Sequence, residues 1–298
     1  MYSVLGTMLI VPGPKILRSL SVGDDTSIDF LRVDGDPDGH IVCFLPWRMP
    51  YRLAQASRLV PRNFLACYEM PRAIVSSEPE LCVRAVHAVV EDALDLVARA
   101  RLDPARLLVV GLSIGNAVAT LMANRMGVRL YSIASADRGD LTLWESPASL
   151  RVKELAETKG YKLADFTQAM HGLHTVENLG NLAPGSRFVI SAMDELVPRA
   201  RRDGLVAAVR RDRPEAEITY VEQGHFGTMI ETVRAMYPAD AGTVAMREPL
   251  FNAAAKRDAV IASRMPPCGG AAHSEDRACS PSETITAPGA RPPSPPTR

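Results

Sequence analysis

Leu107-Leu108-Val109-Val110-Gly111-Leu112-Ser113-Ile114-Gly115-Asn116-Ala117-Val118-Ala119 joins an apolar run, a Gly-x-Ser-x-Gly cluster and a stretch of small residues end to end. Four branched apolar residues in a row read as a strand buried on both faces, the state of a central strand in a parallel sheet. Residues 114–126 read as a helix, rich in alanine and other small residues that permit close approach to a sheet. Ser113 therefore stands on a sharp strand-to-helix turn. Glycines on both sides remove the β-carbons that such a turn would press together. The turn presents the hydroxyl at the carboxyl edge of the sheet. The helix behind it adds a positive dipole end and free backbone N–H groups near any oxyanion that develops there.

Outward from this segment, short β-branched runs alternate with longer amphipathic ones. Residues 27–33 alternate like a half-buried strand, and residues 41–45 form a continuous apolar run. Asp34-Gly35-Asp36-Pro37-Asp38-Gly39 between them is dense in turn formers, which predicts a hairpin leading into the sheet. Residues 64–68 read as a strand, and residues 80–100 carry Leu81, Val86, Val89, Val90, Leu94, Val97 and Ala98 at helical spacing. Residues 128–134 complete a βαβ unit, and residues 188–191 and 218–222 are two further strands. The fold class is α/β, an open and mostly parallel sheet with helices on both faces.

The segment 137–184 is longer than a common connection and holds two or three helical patterns, with apolar faces from Trp144, Leu150, Val152, Leu155, Leu163 and Phe166. It reads as a small helical lid inserted at the carboxyl ends of the strands, where ligands bind in open α/β sheets, or else as a pair of ordinary packing helices. From about Arg264 the composition turns to Pro, Ser, Gly, Ala and Arg, which predicts a disordered tail over 264–298 after one domain over 1–263.

An apolar fraction of 47% with 23% charged residues is that of a packed globular domain and excludes a fibrous or disordered chain. Lys plus Arg equals Asp plus Glu at 34 each, so no net field draws the chain to nucleic acid or anionic lipid. Small or neutral partners fit better, and the oligomeric state is left open. Met1 to Val11 has no basic residue ahead of its apolar part, and no stretch approaches the roughly 18 apolar residues of a membrane helix, so a cytoplasmic protein without membrane insertion is expected. The five cysteines, Cys43, Cys67, Cys82, Cys268 and Cys279, lack metal-ligand spacing and read as reduced structural thiols. The histidines are as dispersed as the cysteines, so no metal is expected. No Gly-x-Gly-x-x-Gly follows the first strand and there is no phosphate-binding loop, so no cofactor is expected either.

The strand-turn-helix around Ser113 resembles the nucleophile elbow of the α/β-hydrolase family, over roughly residues 25 to 240. A serine hydroxyl needs a base within reach, and the base needs an orienting carboxylate. The resemblance implies the chain order serine, acid, histidine. Ile190-Ser191-Ala192-Met193-Asp194-Glu195-Leu196-Val197-Pro198 is similar to the family's acid loop, with Asp194 at the acid position. Glu195 is the alternative acid, and helix capping is the other use for Asp194. Tyr220-Val221-Glu222-Gln223-Gly224-His225-Phe226-Gly227-Thr228 resembles the terminal Gly-His loop. His40 precedes a strand, His87 lies in a helix, His171 and His174 sit in the insertion and His273 in the tail, so His225 is the base that follows the last strand.

The family's oxyanion hole uses the N–H of the residue after the nucleophile, here Ile114, and one from the loop after an earlier strand. That loop is Leu45-Pro46-Trp47-Arg48-Met49-Pro50; Pro46 has no N–H, which leaves Trp47 as the donor or as a pocket wall. The family's usual His-Gly or glycine run is absent there. Trp47, Leu112, Trp144 and Phe226 are expected to line the substrate pocket. The resemblance implies a serine hydrolase that cleaves a carboxylic ester or thioester of a small-molecule acyl substrate through an acyl-enzyme. An acyltransferase of the same fold and a ligand-binding protein that keeps the fold without turnover are the alternatives.

Overall fold

The apolar run before Ser113 forms the middle of a seven-stranded sheet. A computed structural model of the chain describes residues 19–21 and 27–236. Its strands are β1 Ser19–Ser21, β2 Ser27–Asp29, β3 Leu31–Asp34, β4 Ile41–Trp47, β5 Phe64–Met70, β6 Leu108–Leu112, β7 Arg129–Ile133, β8 Arg187–Ser191 and β9 Glu217–Val221. Its helices are α1 Tyr51–Ala56, α2 Pro79–Ala100, α3 Gly115–Met126, α4 Gly139–Glu145, α5 Leu150–Thr158, α6 Leu163–Ala169, α7 Arg199–Asp212 and α8 His225–Met236. The sheet order is β3-β5-β4-β6-β7-β8-β9, parallel throughout except for β3, which runs antiparallel to β5. The expected tail at 264–298, the boundary at 263 and the segment Met1 to Val11 lie outside the described residues.

Alternation along the central strands divides the core in two. Val42, Phe44, Val109, Leu130, Phe188 and Ile190 face α2, α3 and α7, represented there by Val86, Val118 and Leu205. Cys43, Leu45, Val110, Leu112, Ile133 and Val189 face α1 and α8, through Tyr51, Met229 and Val233. Helices thus cover both faces, as the continuous apolar strands require.

The expected hairpin between residues 27–33 and 41–45 does not form. The alternating segment breaks at Phe30 into β2, which pairs with β1 in a separate two-stranded sheet, and β3. The turn at 34–39 exists, closed by Gly39 N–H donating to Asp36 O at 2.8 Å, but it does not join neighbours. Gly35 and Asp36 N–H donate instead to Leu65 O and Phe64 O, both at 2.8 Å, so β5 occupies the place between β3 and β4. A β-carbon on Gly35 would stand 2.1 Å from Phe64 O, so only glycine allows this approach.

The segment 137–184 folds into α4, α5 and α6, which close around Phe166 with Cys82, Leu143, Ala156 and Met170. Leu150 and Leu155, read as apolar-face residues, are about half exposed instead. Among the described residues no helix is long and apolar enough to cross a membrane. Cys43, Cys67 and Cys82 are buried free thiols, and burial pushes the Cys82 thiol up to about 11, which makes it a poor nucleophile. Cys268 and Cys279 lie outside the described residues.

Candidate active site

Ser113, Asp194 and His225 follow β6, β8 and β9, three parallel strands whose carboxyl ends share one edge of the sheet. Ser113 takes φ +54°, a conformation that costs a non-glycine residue about 1–3 kcal/mol and persists only when its surroundings enforce it. They do so through hydrogen bonds. Ser113 N–H donates to Ile133 O at 3.0 Å, and the buried Asn116 amide donates to Ser113 O and Ile133 O, both at 2.9 Å. The flanking glycines are fixed by space. A β-carbon on Gly111 would lie 2.5 Å from Asn116 Oδ1, and one on Gly115 would lie 2.4 Å from Phe44 O.

The elbow points the serine at His225. His225 Nε2 lies 2.7 Å from Ser113 Oγ, and Nδ1 lies 2.8 Å from Asp194 Oδ2. A carboxylate only accepts, so Nδ1 carries the proton and Nε2 presents its lone pair to the hydroxyl. Both members of the pair are sealed from water, with side-chain exposures of 2% and 0%. Burial alone would push the Asp194 carboxyl up. The hydrogen bond and charge of His225, with the N–H groups of Val197 and Leu196, outweigh it and hold the carboxyl below the usual carboxylate range.

Asp194 does not cap a helix, since α7 has Pro198 at its N-cap and no side-chain hydrogen bond there; its two oxygens serve His225 and the loop ahead of α7. Oδ2 meets His225 while Oδ1 accepts Leu196 N–H at 2.9 Å and Val197 N–H at 2.8 Å, closing the turn that leads to α7. Glu195 does not replace it. Its Oε2 accepts the backbone N–H of His225 at 2.9 Å and so ties the acid loop to the histidine loop. A β-carbon at Gly224 would sit 2.7 Å from Glu195 Oε2 and push that carboxylate aside. From α7, the Arg202 guanidinium donates to Ser191 O and, at 2.9 Å, to Ala192 O, bracing the start of the acid loop.

A cavity of about 250 Å³ opens beside Ser113. Trp47, Ile114 and Phe226 are among the residues that line it. Among the described residues no acceptor pairs the Ile114 N–H. Leu112 and Trp144 are corrections, since neither lines the cavity. Along β6 the side chains alternate: Gly111 faces α3, so Leu112 turns to the opposite core with Val110 and Ile133. Trp144 packs its ring on Phe166, 5.3 Å between centroids, within the helical cluster of the insertion. Their places are taken chiefly by Ile74, Val86, Leu143, Met170 and Leu173, none of which the sequence marks as pocket-lining. His40, His87, His171 and His174 all lie away from the serine, and among the described residues no group of His, Cys, Asp and Glu could hold a metal.

No protein-family model and no curated sequence matches the chain. Solved structures do match. The acylaminoacyl peptidase of Pyrococcus horikoshii aligns at TM-score 0.50 and 11% identity over 73% of this chain and 39% of that one. A carboxylesterase of Nitrososphaera gargenis aligns at TM-score 0.46 and 13% identity, over 83% of this chain and all of that one. Dipeptidyl peptidase 4 of Porphyromonas gingivalis aligns at 0.48 and 11%, over 85% of this chain, which spans 36% of its length. At such identities the likeness concerns the fold. A mostly parallel seven-stranded sheet, helices on both faces and a strand-turn-helix elbow at Ser113, with the likeness to the Pyrococcus horikoshii structure at TM-score 0.50, establish that this chain has the α/β-hydrolase fold.

Proposed function

We propose that the protein is a serine hydrolase that cleaves a carboxylic ester or thioester through an acyl-enzyme on Ser113. The observation that carries this reading is the unbroken run of hydrogen bonds from Ser113 Oγ through both nitrogens of His225 to Asp194, at 2.7 and 2.8 Å. A ligand-binding protein has no use for a strained serine aimed at an oriented, buried imidazole.

Ser113 Oγ attacks the carbonyl carbon while His225 Nε2 takes its proton, and Asp194 stabilises the imidazolium that results. The negative oxygen is met by the N–H of Ile114 at the start of α3 and by that of Trp47. Collapse breaks the bond to the leaving group, which receives the proton from His225. Water then gives a proton to His225, attacks the acyl carbonyl and releases the acid and free Ser113.

The test is turnover of a p-nitrophenyl ester and of an acyl thioester by the full chain and by Ser113→Ala, with the acid product quantified. The expected result is acid release that Ser113→Ala abolishes. Loss of the acid in favour of an acyl adduct when an alcohol or amine is added would make the protein an acyltransferase. A bound ester returned unchanged would make it a binding protein.

A further inference from the structure

The cavity beside Ser113 is lined by two unlike sets of residues. Next to His225 in sequence stands Phe226, a residue 45% exposed. Ile74 after β5, Val86 on α2, Leu143 on α4 and Met170 and Leu173 after α6 form a closed apolar wall, each no more than 6% exposed. Among the described residues the lining holds no Asp, Glu, Lys or Arg, and His225 is its one ionisable group. The charged neighbours of the wall face elsewhere. Asp137 meets Arg201 at 3.3 Å, and Asp140 accepts from Arg138 and Thr167, both at 2.6 Å. Glu195 is held by the His225 N–H. A charged group pushed against the closed wall would therefore lose its water and gain no counterion.

The reaction supplies the direction, given the hydrolase reading on which this step rests. The leaving group takes its proton from His225 Nε2, so it must sit on the His225 side, toward the exposed Phe226. The acyl group stays on Ser113 Oγ and points the other way. We infer that the closed wall bounds the acyl subsite and that the substrates are esters or thioesters of uncharged, apolar acids. At about 30 Å³ for each water-sized group, the cavity holds up to about eight such groups, the bulk of a medium-length acyl chain or a ring on a short stem. Met170 and Leu173 set that length.

The experiment is kcat/KM of the full chain on p-nitrophenyl esters from acetyl to dodecanoyl. The rate constant should rise about fourfold per added methylene to near octanoyl and then fall. An acyl chain ending in a carboxylate, or an aminoacyl ester, should be at least about a hundredfold slower than its neutral isostere. Met170→Ala should move the optimum to longer chains and Leu173→Phe to shorter ones, so that failure of either variant to fold leaves the other to decide. Labelling of Ser113 by a small fluorophosphonate separates the two readings. Labelled protein with a flat acyl profile, or with one that peaks at acetyl, overturns the acyl subsite and leaves the hydrolase standing. A series of acetate esters whose preferred alcohol length shifts in Met170→Ala overturns the orientation. Neither labelling nor hydrolysis of any ester overturns both.

Discussion

Asp194→Asn should separate the two duties of that side chain. The asparagine carbonyl oxygen can keep the N–H groups of Leu196 and Val197, which Oδ1 holds at 2.9 and 2.8 Å, so the turn into α7 survives. Its NH₂ then faces His225 Nδ1, 2.8 Å away in the native site, where one donor now meets another. The imidazole can resolve that clash only by moving its proton to Nε2, which leaves no lone pair for Ser113. The expected loss in kcat is about 10³- to 10⁴-fold, the size of effect known for a triad histidine held in the wrong tautomer. Asp194→Ala loses the acceptor for the turn as well and should also cost about 1–2 kcal/mol of stability. The assay is the second-order rate of fluorophosphonate labelling, followed by intact mass and paired with the urea midpoint of each variant. Asn should be slow and stable, Ala slow and less stable. Labelling of Asp194→Asn within a few-fold of the unaltered rate would refute the orienting role.

Other perturbations test the scaffold. Gly115→Ala puts a methyl group 2.4 Å from Phe44 O, a backbone atom that cannot swing aside, and should cost about 1–3 kcal/mol in urea unfolding while slowing the labelling of Ser113. Leu112→Ala, at a side chain with no exposed surface, should cost about 2–5 kcal/mol, with acyl-length preference intact; a shifted preference would return Leu112 to the pocket. Burial lowers the His174 pKa below the ordinary value, against Asp140 and Glu177, which favour its charged form, and with Arg138 and His171, which oppose it. The unfolded chain then binds the extra proton first, so stability should fall as pH drops below about 6.5, with His40 and His87 acting in the same direction. His174→Gln should flatten the dependence of the unfolding midpoint between pH 7.5 and 5.5, and an unchanged slope would exclude that residue as its source.

The parts of this protein that local chemistry dictates were legible in the chain. Four apolar residues bounded by Gly111 suit a short buried strand, and small residues after Ser113 suit a helix pressed on a sheet, so β6, the elbow and α3 follow from neighbours in sequence. The pairing of β3 does not. Turn formers at 34–39 announce a reversal, but which strand lies alongside is decided by residues 64 and 65, some thirty positions away. The pocket failed for a related reason. Trp144 lies on an apolar face of the insertion, but that face packs into the insertion's own core, and the side chains that close the cavity come from the turn after β5, α2, α4 and the segment after α6. Leu112 could have been placed, because alternation from Gly111 fixes its face. Asn116 also left a signal, a lone amide on the inward side of an apolar helix. The grip of Glu195 on the His225 N–H left none, since any acceptor within reach would serve.

Activation of Ser113 by His225 and Asp194 can be read from peptide mapping of the full chain after fluorophosphonate treatment. A single adduct is expected, on Ser113 and on no other serine, that disappears in His225→Ala. An adduct elsewhere, or an unlabelled Ser113 in a folded protein, would contradict it.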